Sequence, residues 1–181
     1  MTKIINLYGG PGTGKSTSAA YMFAQLKNKG VNAELVREYV KDWAWEERQV
    51  GLFDQLYLMG KQVRKESMLL GKVDVIITDS PVWLAGYYAS KYSPPVLAQG
   101  IEHAIRSYYS QSEIEGHEHH HVFLERTKKY DSRGRYQTEE QAKKIDKELS
   151  SFLSSRGIDL SSSGTGFDNL SITLRLMGLL K

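Results

Sequence analysis

The sequence predicts an α/β fold: a doubly wound parallel sheet of about five strands with helices on both faces. Three observations carry that expectation. Short apolar runs alternate with helix-patterned segments along the chain. The segment VDVIIT, Val73–Thr78, is a near-continuous apolar run of the kind parallel sheets bury on both faces. Finally, Gly9-x4-Gly14-Lys15-Ser16 joins the first apolar run to the first helical segment, the context in which this pattern builds a phosphate-binding loop. Together these describe a P-loop NTPase fold.

The elements follow in order. Lys3–Tyr8 is the first strand, and a helix runs from about Lys15 to Asn28, with Ala19, Ala20, Met22, Phe23 and Leu26 as its apolar positions. Gly30 ends it, and Ala33–Arg37 forms the second strand. A long helical region covers roughly Trp43–Leu70 with an interruption near Gly51. Val73–Thr78 is the third strand, and a helical section leads to a fourth at His121–Leu124. Thr138 and Gln141 form a capping box that opens a helix to about Ser154, with Gly157 just past its end. Ile158–Leu160 is expected as a last strand and Asn169–Leu180 as a closing helix. No repeat or linker divides the chain, so residues 1–181 form one domain.

Composition excludes several classes. The 181 residues include no cysteine, which rules out disulfides, thiolate zinc sites and a cysteine nucleophile. A net charge of +3 permits anionic substrates but is too small to mark a nucleic-acid binder by itself. No segment approaches membrane-spanning length. A reduced, cytoplasmic compartment and no membrane partner are expected.

The loop at Gly9–Ser16 explains its own residue types. Glycines let successive backbone N–H groups converge on phosphate oxygens, and the following helix N-terminus adds its dipole. Gly10, Gly12, Thr13, Gly14, Lys15, Ser16 and Thr17 are the expected contacts to ATP. Lys15 reaches the β and γ phosphates, and the Ser16 hydroxyl joins the coordination of Mg²⁺. Asp79, at the end of the third strand, holds that magnesium through water or orients the nucleophile; capping the next helix is the plainer alternative.

Three classes of P-loop protein compete. A GTPase needs an Asn-Lys-x-Asp tetrapeptide, which is absent, and a remodelling ATPase usually carries an acidic pair after the third strand, where Ser80 follows Asp79. A small-molecule kinase needs a carboxylate at the acceptor hydroxyl and a basic lid. Glu38 follows the second strand directly and suits the first role, with Asp42 one turn on as its rival. Arg37 beside it pairs with Glu38 or with a substrate phosphate. The lid is expected at about residues 126–137, where Arg126, Lys128, Lys129, Arg133 and Arg135 crowd between a strand and a capped helix.

The acceptor side is aromatic. Trp43, Trp45 and Trp83 flank the two carboxylates, and Tyr87 and Tyr88 follow. Each alone suits a core; as a cluster they suit stacking on a base, including one flipped out of DNA. Gln55 and Gln62 share one helix and can pair with a base edge. The region Ser90–Tyr109 has Lys91 and Arg106 but no dense basic stripe. His117, His119 and His121 are expected on one face of a strand, at the end away from the phosphates, which argues against a functional metal there. The Ser161–Gly166 loop is a candidate to wrap the adenine.

The order of P-loop, Glu after the second strand, Asp after the third and an Arg-rich lid resembles the deoxynucleoside and nucleotide kinase superfamily. EYVKDW is similar to the Glu-Pro-Val-x-x-Trp segment of deoxynucleoside kinases, which implies Glu38 as the base and Trp43 in the substrate pocket. LFDQLYL resembles the Phe-Gln segment that reads a nucleobase edge, which implies that role for Gln55. GGPGTGKST, EYVKDWAWEER, VIITDSP and FLERTKKYDSRGRYQTEEQAKKID resemble small P-loop kinases of tailed bacteriophage, among them nicotinamide riboside kinase-like proteins and kinases of 5-hydroxymethyluridine in DNA. The resemblance extends to about Leu153. Tyr39 stands where deoxynucleoside kinases have Pro, and Asp79-Ser80-Pro81 replaces their acidic-Arg-Ser, so the Arg that grips the substrate is missing from its usual place.

The expected activity is transfer of the ATP γ-phosphoryl, with Mg²⁺, to a hydroxyl of a nucleoside, a nucleotide or a modified base in DNA. Arg37, Trp43, Gln55 and Trp83 are the expected substrate contacts, with Lys15, Glu38, Asp79, Arg126 and Arg135 as the catalytic set. The alternatives are a nicotinamide riboside kinase-like enzyme and a P-loop ATPase that acts on nucleic acid without a small acceptor.

Overall fold

The computed structural model describes residues 1–127, 130–131, 133 and 137–180. Five strands, β1 (Lys3–Tyr8), β2 (Ala33–Val36), β3 (Val75–Thr78), β4 (Glu118–Leu124) and β5 (Ser161–Ser163), form one sheet in the order β2-β3-β1-β4-β5. Each pairing is parallel. Helices α1 (Lys15–Asn28), α2 (Val40–Trp45), α3 (Asp54–Ser67), α4 (Val82–Tyr92), α5 (Pro95–Ile114), α6 (Glu139–Ser154) and α7 (Phe167–Leu176) supply the crossovers. A parallel pair cannot be joined by a tight turn, so each connection must climb back over a face of the sheet.

The period-two side-chain pattern of β1 divides the core. Ile5 and Leu7 point to the face covered by α1 and α7, against Ala19, Met22, Leu26, Leu170 and Leu174. Tyr8 points to the other face, where Val82, Trp83, Ile101, Ile105, Ile145 and Leu149 from α4, α5 and α6 form the larger cluster. Both faces are covered, as a doubly wound sheet requires. Among the described residues no helix is long and apolar enough to cross a membrane.

Several boundaries differ from expectation. The interruption expected near Gly51 is present, but the first helix starts at Val40 rather than Trp43. The chain turns out of α2 at Glu47, which has φ 55, and re-enters at Asp54, whose carboxylate accepts the Gly51 N–H at 2.8 Å. The last strand is Ser161–Ser163, not Ile158–Leu160. Ile158 instead donates its N–H back to Leu153 at 3.2 Å, and its side chain and that of Leu160 pack against the larger cluster. β4 begins at Glu118, three residues before the predicted start. The α6 capping box forms as expected, with both Thr138–Gln141 hydrogen bonds in place.

Candidate active site

The phosphate loop leaves β1 at the carboxyl edge of the sheet and feeds directly into α1. Gly12 and Gly14 adopt φ 80 and 99, left-handed values that suit glycine alone without strain. A Cβ on Gly12 would also lie 2.8 Å from the ring of Tyr130. The Lys15 ammonium donates to the carbonyls of Gly9 at 2.6 Å and Gly10 at 3.1 Å, and so lies folded over the loop. Burial pulls its pKa below the ordinary lysine value, against the opposing pull of Glu38, Asp79 and Asp146. Protein therefore surrounds this cation closely, although the side chain remains partly accessible from the cavity beside it.

The loop residues divide by role. Gly12, Gly14, Lys15, Ser16 and Thr17 line the cavity. Thr13 is fully buried and its hydroxyl braces the Gly10 carbonyl at 3.0 Å. The Gly10 N–H is taken by the Asp146 carboxylate at 2.6 Å and is not offered to a phosphate. Gly10, expected as a nucleotide contact, spends its N–H on Asp146, and the Thr13 side chain braces the loop from within.

Glu38 and Asp79 emerge from adjacent strand tips, β2 beside β3, and they are tied together. The Glu38 backbone N–H donates to Asp79 Oδ1 at 2.8 Å. Asp79 is 3 % exposed, while the Glu38 side chain reaches the cavity wall. Ser16 and Asp79 supply one hydroxyl and one carboxylate, hard oxygen donors of the number Mg²⁺ usually takes from protein while it keeps several waters.

Arg126 belongs to the loop as much as to a lid. Its Nε bonds Asp146 Oδ2 at 2.7 Å, and one Nη donates to the Pro11 carbonyl at 2.9 Å. The other, Nη1, is buried, has no partner among the described residues, and lies 3.3 Å from where a Cβ on Gly12 would stand. That is an unsatisfied cationic donor held against the phosphate loop. Arg133 is largely exposed, pairs with Asp131 at 2.7 Å and lines the cavity. Lys128, Lys129 and Arg135 lie outside the described residues.

A cavity of about 740 Å³ opens from the loop and runs along α2, α3 and α4. Glu38, Gln55, Gln62, Ser80 and Tyr88 line it, with Trp45 at an exposed edge. Three expected contacts do not line it. Trp83 is 2 % exposed and packs with Tyr109 and Phe152 in the core, because α4 turns that face of its helix toward α5 and α6. Trp43 is 4 % exposed, stacked on Tyr57 and covered by the Arg48 guanidinium at 3.5 Å. Arg37 points to solvent, and only its carbonyl is engaged, by Lys65 at 2.9 Å. Asp146 was missed. Asp146 stands on the inward stripe of α6 between Ala142 and Leu149, and an acidic residue at such a position was the available signal.

The histidines do not converge. His117 Nδ1 accepts the Thr2 N–H, His119 meets Ser112, and His121 meets the Tyr8 hydroxyl. Among the described residues no group of three such side chains is placed to hold a metal ion.

A family model described as an AAA domain matches residues 4–166. The chain belongs to that family. A search of curated protein sequences returns no match. Among solved structures, NadR protein in complex with NR superposes with a TM-score of 0.72 at 15 % identity, over 98 % of this chain and 52 % of that one. NadR in complex with NAD and AMP-PNP gives the same TM-score and identity over 98 % and 50 %. The Mycobacterium tuberculosis APS kinase CysC with AMPPNP and APS gives 0.52 at 12 % identity, over 98 % and 96 %. This AAA-domain chain thus spans about half the length of the NadR chains. At these identities the likeness shows the P-loop fold, in agreement with the parallel sheet and the loop at its carboxyl edge.

Proposed function

We propose that the protein is a kinase that moves the γ-phosphoryl of ATP to a hydroxyl of a nucleoside or nucleotide. One observation carries the reading: a single cavity holds both the phosphate loop and Glu38, so that an acceptor has its own chamber beside the γ-phosphate. A hydrolase needs room there for only a water. Asp79 is followed by Ser80, so the acidic pair that remodelling ATPases usually carry after this strand is replaced by a single carboxylate. The solved structures of similar fold include proteins bound to NR and to APS, small acceptors of this kind.

In this mechanism Glu38 accepts the proton of the acceptor hydroxyl as its oxygen bonds to the γ-phosphorus and the bond to the ADP oxygen breaks. Lys15 holds the phosphate oxygens, and the unpartnered Nη1 of Arg126 offsets charge that develops on the transferring group. Ser16 and Asp79 would hold Mg²⁺, which neutralises phosphate charge when bound. Gln55 faces the acceptor base. Trp45 at the exposed edge gives a stacking plane, which extends the acceptor range to 5-hydroxymethyluridine in DNA.

The test is transfer of labelled γ-phosphate from ATP to deoxynucleosides, their monophosphates, nicotinamide riboside, and DNA with or without 5-hydroxymethyluridine. Label on one class supports the kinase, and Glu38→Gln should lower that transfer at least 100-fold while ATP still binds. Label released only as free phosphate, at a rate raised by DNA, would overturn it in favour of a nucleic-acid ATPase.

A further inference from the structure

Two carboxamides line the cavity from α3. Gln55 and Gln62 stand seven residues apart (62 − 55), on the same helix face roughly two turns from each other. Among the described residues no hydrogen-bond partner fixes the orientation of Gln55. Gln62 is different. Its Nε2 donates to Glu66 Oε1 at 2.8 Å and to Thr78 Oγ1 at 3.0 Å. At a pH where Glu66 is ionised, as in an assay at pH 8, it has no proton to offer, so the carboxamide must turn its NH₂ inward. Both of its N–H groups are then spent. No described donor meets Gln62 Oε1, which is also not sealed from solvent, so it is the atom left on the cavity side.

The chemistry of phosphoryl transfer has no use for Glu66. It is fully buried, and its second oxygen accepts from the Tyr108 hydroxyl at 3.0 Å. The charge of Glu66 is felt by Tyr8 from β1 and Tyr109 from α5, both neutral groups. A carboxylate with neutral neighbours only is costly to bury, and an apolar side chain of similar size would pack there without that cost. The geometry of the Gln62 contact is what the carboxylate provides.

We propose that Glu66 is a positioning residue that locks the Gln62 carboxamide with its oxygen toward the acceptor, so that the site selects a base whose edge presents an N–H there, of the imide, lactam or carboxamide type. The inference rests on the kinase reading. A donor-bearing edge completes the one open bond of Gln62. An edge methylated at that nitrogen leaves the Gln62 oxygen without a donor, and an edge that presents an acceptor sets two acceptors against each other in a desolvated wall.

The experiment measures kcat/KM for labelled-phosphate transfer to three matched pairs: thymidine and N3-methylthymidine, inosine and 1-methylinosine, nicotinamide riboside and its N,N-dimethylcarboxamide analogue. In whichever pair accepts label, the wild-type protein should favour the unmethylated member by about tenfold or more. Glu66→Met should bring the ratio toward one, whereas Glu66→Gln, whose oxygen still accepts from Gln62, should keep it. A role for Glu66 in packing alone would scale both members together. If Glu66→Met does not fold, Gln62→Met carries the same expectation. Equal use of both members by the wild type, or an unchanged ratio in Gln62→Met, overturns the inference and leaves the kinase standing. Absence of label on these acceptors and on the monophosphates and DNA as well, with ATP bound, overturns the kinase reading itself and this inference with it.

Discussion

Arg126 is held by Asp146, Nε to Oδ2 at 2.7 Å, with side chains 11 % and 17 % exposed, and the other Asp146 oxygen takes the Gly10 N–H. One carboxylate on α6 therefore fixes both the start of the phosphate loop and the cation beside it. Helix α6 and the phosphate loop are joined at this point.

Asp146→Ala should separate them. A mostly buried guanidinium loses its charged partner and the Gly10 N–H its acceptor, at a cost of about 2 kcal/mol. That cost lowers Tm by roughly 4–8 °C for a chain of this size. Phosphoryl transfer should fall more than tenfold because Arg126 no longer has a fixed direction. Thermal unfolding and single-turnover transfer check both, and an unchanged Tm would refute the strut.

Gly12→Ala tests the same junction from the other side. The position has φ 80, where a side chain costs about 1 kcal/mol, and the added carbon meets the Tyr130 ring at 2.8 Å. Tyr130 must move, and Arg126 Nη1 stands next in line at 3.3 Å. The expected outcome is a folded protein with transfer down at least tenfold. Wild-type turnover would show that the Tyr130 contact is not kept in the working state.

The sheet, the phosphate loop and the two strand-tip carboxylates were legible in the sequence because each is written in local pattern. An apolar run gives β3, Gly spacing gives the loop, and Glu38 and Asp79 follow their strands directly. The tryptophans were not legible. Trp43 and Trp83 lie as near the carboxylates in sequence as Trp45 does, and helix phase alone decides that Trp45 meets the cavity while the others turn inward. Asp146 and Glu66 were hidden for another reason. Asp146 acts across the fold on Gly10, and no spacing in the chain encodes that contact. Glu66 stands one turn from Gln62 on α3, and what the spacing does not show is that this pair is buried beside Thr78 of β3.

Trp83→Phe separates core from pocket. The indole packs among Tyr109, Phe152 and Ile105, so truncation should cost about 2 kcal/mol of stability. The acceptor KM should stay within twofold, whereas Gln55→Ala, at the cavity wall, should raise it. Chemical denaturation and acceptor titration on the same preparations make the comparison. A KM raised by Trp83→Phe with stability intact would return Trp83 to the substrate site.

Glu66 also gives stability a distinctive pH dependence. Burial raises its pKa from an ordinary value near 4.5 to about 7, against the smaller opposing effect of the Gln62 and Tyr108 hydrogen bonds. The unfolded chain therefore releases this proton at lower pH than the folded one. The contribution is fully present below pH 4.5 and is lost as pH rises to 7, a loss of about 3 kcal/mol. His119 and His121 run the other way: burial lowers them to about 3 and about 4, so their contribution is present above pH 6.5 and is lost on acidification. Comparison with Glu66→Gln isolates the carboxyl, because both histidines remain in each protein. The variant lacks the ionisation, so its stability should gain on the wild type steadily between pH 5 and 7 and hold a constant lead above pH 8. Urea unfolding at a series of pH values measures that difference, and a lead independent of pH would mean that Glu66 stays protonated throughout.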